Sequence, residues 1–112
     1  MYHGIRKLLN QVFVPWGLEL SYVDLTNLED VRGALKQNTK LVWIETPSNP
    51  MLKITDIEAV TKLAKTVGAK VACDNTWTPP GMQPVFALGG DIVMHATTKY
   101  LAGHSDVLGG AL

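Results

Sequence analysis

An α/β fold, a mostly parallel sheet flanked by helices, is predicted by three observations. Segments of helical periodicity alternate with short apolar runs along the 112 residues, the order that yields parallel strands joined by crossovers. The run Leu41-Val42-Trp43-Ile44 has no polar alternation, as expected of a parallel strand covered on both faces. The runs Val71–Cys73 and Ile92–Met94 stop at polar groups that do not fit a core, Asp74 after the first and Ala96-Thr97-Thr98-Lys99 after the second. Charged groups at strand ends mark the place where open α/β sheets bind ligands.

Taken in order, Ile5, Leu8, Leu9 and Val12 recur at helical spacing and predict a helix over 4–14, ended by Pro15. Arg6, Lys7, Asn10 and Gln11 form its solvated face, and Trp16 is read as a core plug. Leu18 to Leu25 alternates, with Leu18, Leu20 and Tyr22 on one side, and predicts a strand. Thr26 and Glu29 make a capping box before a short helix striped by Leu28, Val31 and Leu35. After the strand 41–44 comes Glu45-Thr46-Pro47-Ser48-Asn49-Pro50, an extended loop in which two prolines restrict Asn49. A structural hydrogen bond suits Glu45 as well as any other role.

Thr55 and Glu58 form a second capping box; Ile57, Val60, Leu63, Ala64 and Val67 line the helix that Gly68 ends. Lys70 to Cys73 is the next strand. Pro79, Pro80, Gly81, Pro84, Gly89 and Gly90 make 75–90 mostly loop, with one helical turn at Val85–Leu88. Trp77 suits either a site entrance or the core. Asp91–His95 is a further strand, His95 being read as a hydrogen-bonded structural histidine, and Val107–Leu112 looks like another.

Composition narrows the function. Ten basic and ten acidic residues leave no net charge, which gives no electrostatic handle for nucleic acid or an anionic membrane surface. No apolar run is long enough to span a bilayer, and no basic segment followed by an apolar stretch opens the chain. The single cysteine, Cys73, forms no internal disulfide and fits a reducing compartment, so a cytoplasmic location is expected. Cys73 lies on a buried run beside Asp74, where a thiolate is disfavoured, and is read as packing. No glycine-rich phosphate motif follows a strand, which disfavours a plain nucleotide-binding domain. No metal is expected.

One cofactor needs a lysine and a carboxylate together. Pyridoxal 5′-phosphate (PLP) takes a lysine for its Schiff base and a carboxylate against its pyridinium nitrogen. Asp74 and Lys99 are that pair. Cys-Asp-Asn-Thr-Trp at 73–77 and Thr98-Lys99-Tyr100-Leu101-Ala102-Gly103-His104-Ser105-Asp106 resemble the Cys/Met-metabolism PLP enzymes: cystathionine γ-synthases, cystathionine β- and γ-lyases, methionine γ-lyases and O-acetylhomoserine sulfhydrylases. The resemblance covers nearly the whole chain.

It implies part of the large domain of a fold-type I PLP-dependent transferase, with residues 1–112 a partial PLP-binding domain. The N-terminal arm and C-terminal domain of the parent enzyme would lie outside it. Residue by residue, it implies that Lys99 is the Schiff-base lysine and general base. Asp74 pairs with the pyridinium, and Tyr2, in Tyr2-His3-Gly4, stacks on the ring and assists proton transfer. Asn49 donates near the cofactor's phenolic oxygen and the substrate carboxylate, and the Thr98 hydroxyl meets the phosphate. The chain departs from the pattern at Ala96, where many members carry a second phosphate-binding hydroxyl as serine; Thr97 is the adjacent candidate.

The implied activity is β- or γ-elimination or replacement on a sulfur amino-acid substrate: cystathionine, methionine or an activated homoserine. A homo-oligomer, a dimer of dimers, is implied for the full-length parent. Two alternatives stand beside this reading: a non-catalytic isolated fragment unable to hold PLP, and another fold-type I enzyme such as an aminotransferase. The latter is not expected to carry the Thr98-to-Asp106 run.

Overall fold

The computed structural model describes residues 1–112. Three strands, β1 (Leu41–Glu45), β2 (Lys70–Asp74) and β3 (Ile92–Met94), form one sheet in the order β1-β2-β3. Both pairings are parallel. Their register aligns the carboxyl ends: Glu45 faces Asp74, and Asp74 faces Met94. The helices are α1 (His3–Leu8), α2 (Leu28–Ala34) and α3 (Ile57–Lys65).

Helix α3 makes the crossover between β1 and β2 and packs on both, with α2 against it. The core joins Val60 and Ala64 of α3 to Ile44, Val71 and Cys73, and includes Val31 and Val85. Strand residues two apart share a face, so Ile44, Val71 and Cys73 look toward α3. Glu45, Ala72 and Asp74 look the other way. The two strand-end carboxylates therefore sit side by side on the face away from α3. Ile44 is fully buried, and Ile44→Ala is expected to lower stability by about 2–5 kcal/mol, measurable by equilibrium denaturation.

Helix ends follow the local chemistry, with the caps one residue later than the boxes at Thr26 and Thr55 predict. Asn27 caps α2 by accepting the Glu29 N–H at 3.0 Å, while the Thr26 hydroxyl donates to Asp24. Asp56 caps α3 by accepting the Ala59 N–H at 2.9 Å. Thr55 is buried and gives its N–H to the Thr46 hydroxyl instead. A short carboxylate or amide reaches the N–H of the second or third helical residue as a hydroxyl does, and in both cases it stands nearer the helix. Gly68, at φ +73°, ends α3 as expected, with the Ala69 N–H returning to the Ala64 carbonyl.

Four expectations are corrected. The helix over 4–14 is α-helical only to Leu8 and π-helical over Leu9–Phe13. The Asn10 side-chain amide donates to the Arg6 carbonyl at 2.7 Å, occupying the acceptor of a regular α-turn. This helix packs on no strand, and Leu8 and Val12 are exposed.

Trp16, read as a core plug, is 81% exposed. Leu18 to Asp24 forms no regular secondary structure and pairs with no strand, and Leu25 already belongs to a turn. Val23 and Leu25 touch the core, whereas Leu18 and Tyr22 are exposed, so the buried set is the other alternate one. Side-chain ties replace a ladder there: Lys53 pairs with Asp24, and Asn10 donates to the Tyr22 hydroxyl at 2.6 Å. The hydrogen bonds from Lys53 and Thr26 bring the Asp24 carboxyl down to about 2.

Val107–Leu112 contributes only Ala111, in a single antiparallel bridge with His95. The turn at Val85–Leu88 is present, with the Leu88 N–H on the Pro84 carbonyl at 3.1 Å. Trp77 lies exposed rather than in the core.

Candidate active site

The carboxyl edge of the sheet collects the candidate residues. Asp74 ends β2, 8% exposed. One of its oxygens accepts the Thr76 N–H at 3.0 Å, an Asx turn that Asp forms readily two residues ahead. No cationic side chain pairs with it. Thr76 also accepts the Ala96 N–H on its hydroxyl at 2.9 Å. Together with the Asn75 N–H on the Met94 carbonyl at 2.8 Å, this fastens the segment leading to Lys99 onto the end of β2.

Beyond Ala96 the chain turns. Lys99 N–H meets the Ala96 carbonyl at 3.0 Å, Ala102 N–H the Thr97 carbonyl at 2.8 Å, and Gly103 N–H the Lys99 carbonyl at 2.8 Å. Lys99 is exposed and forms no ion pair. Its side chain borders a cavity of about 420 Å³ with Thr98, Ser105, Asp106 and Val107. Asp74, Tyr2 and Asn49 do not line that cavity, so the site is an open edge rather than one enclosed pocket.

The Thr98 hydroxyl accepts the Gly109 N–H at 3.0 Å and donates to the Gly109 carbonyl at 3.2 Å. A phosphate would replace the Gly109 carbonyl as acceptor of the hydroxyl's hydrogen bond, and the Gly109 N–H would still hold the oxygen in place. Thr97, the alternative hydroxyl, stands where a Cβ on Gly109 would come within 2.6 Å of its Oγ1. His95 bonds through its backbone to Ala111 in both directions, which fits a structural residue.

Tyr2 and Asn49 reach this edge through Glu45. Its Oε2 accepts the Tyr2 N–H at 2.7 Å and its Oε1 the Asn49 N–H at 2.5 Å. Gly4 lets the Tyr2 ring fold back, because a Cβ there would lie 2.6 Å from the Tyr2 Cε1. Sequence reasoning left the part played by Glu45 open and did not single out Thr76. The signals were a carboxylate closing an apolar run and a threonine two residues beyond an aspartate.

The donor set fits PLP. A buried carboxylate whose remaining oxygen has no hydrogen-bond partner suits a protonated ring nitrogen, and Lys99 is an unpaired amine on the neighbouring strand's extension. Cys73 is not a rival nucleophile. Burial, and then the Asp74 charge, push its thiol up to about 12. In the folded protein Cys73 is therefore expected to resist iodoacetamide at pH 8 and to react once unfolded, as intact-mass measurement would record.

Comparison with known proteins points to the same cofactor. The chain is 46% identical over 112 residues to the cystathionine gamma-synthase of Mycobacterium leprae (strain TN). It is 47% identical over 110 residues to a cystathionine beta-lyase of Lactococcus lactis subsp. cremoris. It spans 100% and 98% of itself in these alignments, but 29% of each relative's length.

Among solved structures, metB from Corynebacterium glutamicum superposes with a TM-score of 0.94 at 51% identity, over 97% of this chain and 28% of that one. The cystathionine gamma-lyase from Lactobacillus plantarum, complexed with L-serine, also gives 0.94, at 42% identity over 98% and 29%. The family profile described as Cys/Met metabolism PLP-dependent enzyme matches residues 1–112. By fold, strand-end chemistry and whole-chain match, this chain belongs to the Cys/Met metabolism PLP-dependent enzyme family.

Proposed function

We propose that these 112 residues are part of the PLP-binding large domain of a longer trans-sulfuration enzyme, which makes or breaks carbon–sulfur bonds at the β- or γ-carbon of cystathionine-class amino acids. The observation that carries this is the Asp74–Thr76–Ala96 linkage, which fixes a buried carboxylate and the Lys99 turn to one strand end. When bound, PLP supplies an electron-withdrawing ring that accepts the electron pair left at the substrate's α-carbon.

The protein's own groups do the rest. Lys99 Nζ would hold the cofactor and, when free, would take the substrate's α-proton and return a proton further along the substrate. Asp74 keeps the ring nitrogen protonated through a charge-assisted hydrogen bond. Tyr2 holds the ring by stacking and assists proton transfer. Asn49 donates to the cofactor's phenolic oxygen and the substrate carboxylate without adding charge. The Thr98 hydroxyl would donate a hydrogen bond to the phosphate.

The full-length enzyme works in the cytoplasm as a homo-oligomer, a dimer of dimers. Large apolar side chains exposed on these 112 residues, Trp16 and Phe13 among them, need cover from the rest of the polypeptide or from a partner subunit. No helix is long and apolar enough to cross a membrane. The 112 residues alone would not retain PLP, because the sheet edges at β1 and β3 stand uncovered in them.

The test is turnover by the full-length protein with PLP. L-cystathionine is offered alone to detect keto-acid release, and an O-acylhomoserine with cysteine to detect cystathionine formation. One of the two reactions is expected, and failure of both would overturn the assignment.

A further inference from the structure

The feature that the proposed chemistry leaves unused is the carboxylate of Glu45. It is 8% exposed and is met by no lysine or arginine side chain; the Met1 amine lies 3.6 Å from it. A buried carboxylate needs donors, and here they come from two distant stretches of chain. Oε2 takes the N–H of Tyr2, 43 residues earlier, and Oε1 that of Asn49, four residues later. Glu45 also stands beside Asp74 in the sheet register, on the same face.

We propose that Glu45 is a positioning residue, whose two oxygens set Tyr2 and Asn49 in one fixed geometry beside Asp74. The inference rests on the PLP reading for what Tyr2 and Asn49 then touch. Neither residue is held at the site by its side chain. Tyr2 is 48% exposed and Asn49 is exposed, and neither side chain forms a hydrogen bond to the rest of the protein. Their backbone N–H groups, both on Glu45, fix where they start.

The chemistry requires a carboxylate in particular. An ionised carboxylate has two acceptor oxygens, whereas the amide of glutamine has one acceptor and one donor group. In Glu45→Gln one N–H would face an NH2 group, and a tie to one of the two segments must break. Hydrogen bonds to charged groups are strong enough for the loss to be measured as a change of about tenfold or more.

Two readouts test this. In the apo protein, Glu45→Gln is expected to speed amide hydrogen exchange at Tyr2, Asn49 or both by about tenfold or more. The Val71 amide, bonded to Asp91 at 2.9 Å, should stay as protected as in the wild type. In the PLP-loaded full-length protein, the visible circular dichroism band of the bound cofactor should change shape or sign, with PLP affinity lower by about tenfold.

Unchanged exchange at Tyr2 and Asn49, or a loaded variant with the wild-type dichroic band, would overturn the role of Glu45. Wild-type protein that takes up no PLP would instead overturn the proposed chemistry, and the apo exchange experiment keeps the two failures apart. Should Glu45→Gln not fold, Glu45→Asp keeps both oxygens but shortens the reach by one methylene. The same exchange and dichroic changes, smaller in size, are then expected, and their absence counts against the proposal.

Discussion

Replacing Lys99 by alanine is expected to remove the borohydride-sensitive visible absorption of the PLP-loaded full-length protein and to lower turnover by at least about 10²–10⁴-fold, the usual contribution of a positioned proton-transfer group. The reason lies in the turn that presents Lys99. Its backbone is fastened at Ala96, at Thr97 through Ala102, and at Gly103, so the side chain can be shortened without loosening the turn. The amine makes no ion pair, so its loss orphans no carboxylate. A folded variant to which borohydride fixes no PLP is therefore the predicted phenotype. Thermal unfolding of the apo protein close to the wild-type midpoint would separate this from misfolding.

The second large effect is expected at Asp74. Asp74→Asn keeps an oxygen for the Thr76 N–H and nearly the same volume, so the link to Ala96 survives. What goes is the negative charge. A neutral amide cannot hold a proton on the ring nitrogen as a carboxylate does, and a charge-assisted hydrogen bond of about 1.5–3 kcal/mol is lost. That predicts kcat/KM lower by roughly 10- to 10²-fold from the contact alone. Asp74→Glu, with the charge restored but displaced, should recover part of the loss. Steady-state kinetics with PLP titration would measure both.

The motif-bearing parts of the fold were the legible ones. Strands β1, β2 and β3 are short apolar runs in the sequence without polar alternation, the pattern of strands in a parallel sheet. Gly68 could be placed as a helix stop because its positive φ is nearly free for glycine. Asp74 could be singled out because a charged residue directly after a buried run has little structural reason to be there, whereas Lys99, further from its run, could be singled out only through the motif around it.

The regions that misled were those where pattern and partner part company. Leu18–Leu25 alternates well enough for a strand, but a strand needs a neighbour, and none lies beside it. The apolar spacing of Ile5, Leu8, Leu9 and Val12 predicts a packed face, yet that face meets no other element within these residues. Trp16 was placed inside on size alone, and size says nothing of what lies opposite. The double acceptance by Glu45 was illegible for another reason. It joins residues 43 positions apart, and no local pattern in a sequence records such a contact.

The central claim is that Lys99 is the amine that carries the cofactor, and peptide mapping tests it most directly. The full-length protein would be loaded with PLP, reduced with borohydride, digested and sequenced by mass spectrometry. A single dominant pyridoxyl adduct on Lys99, absent from Lys99→Ala, is expected. A label spread over exposed lysines such as Lys7, Lys36 and Lys62, with Lys99 unmodified, would contradict it.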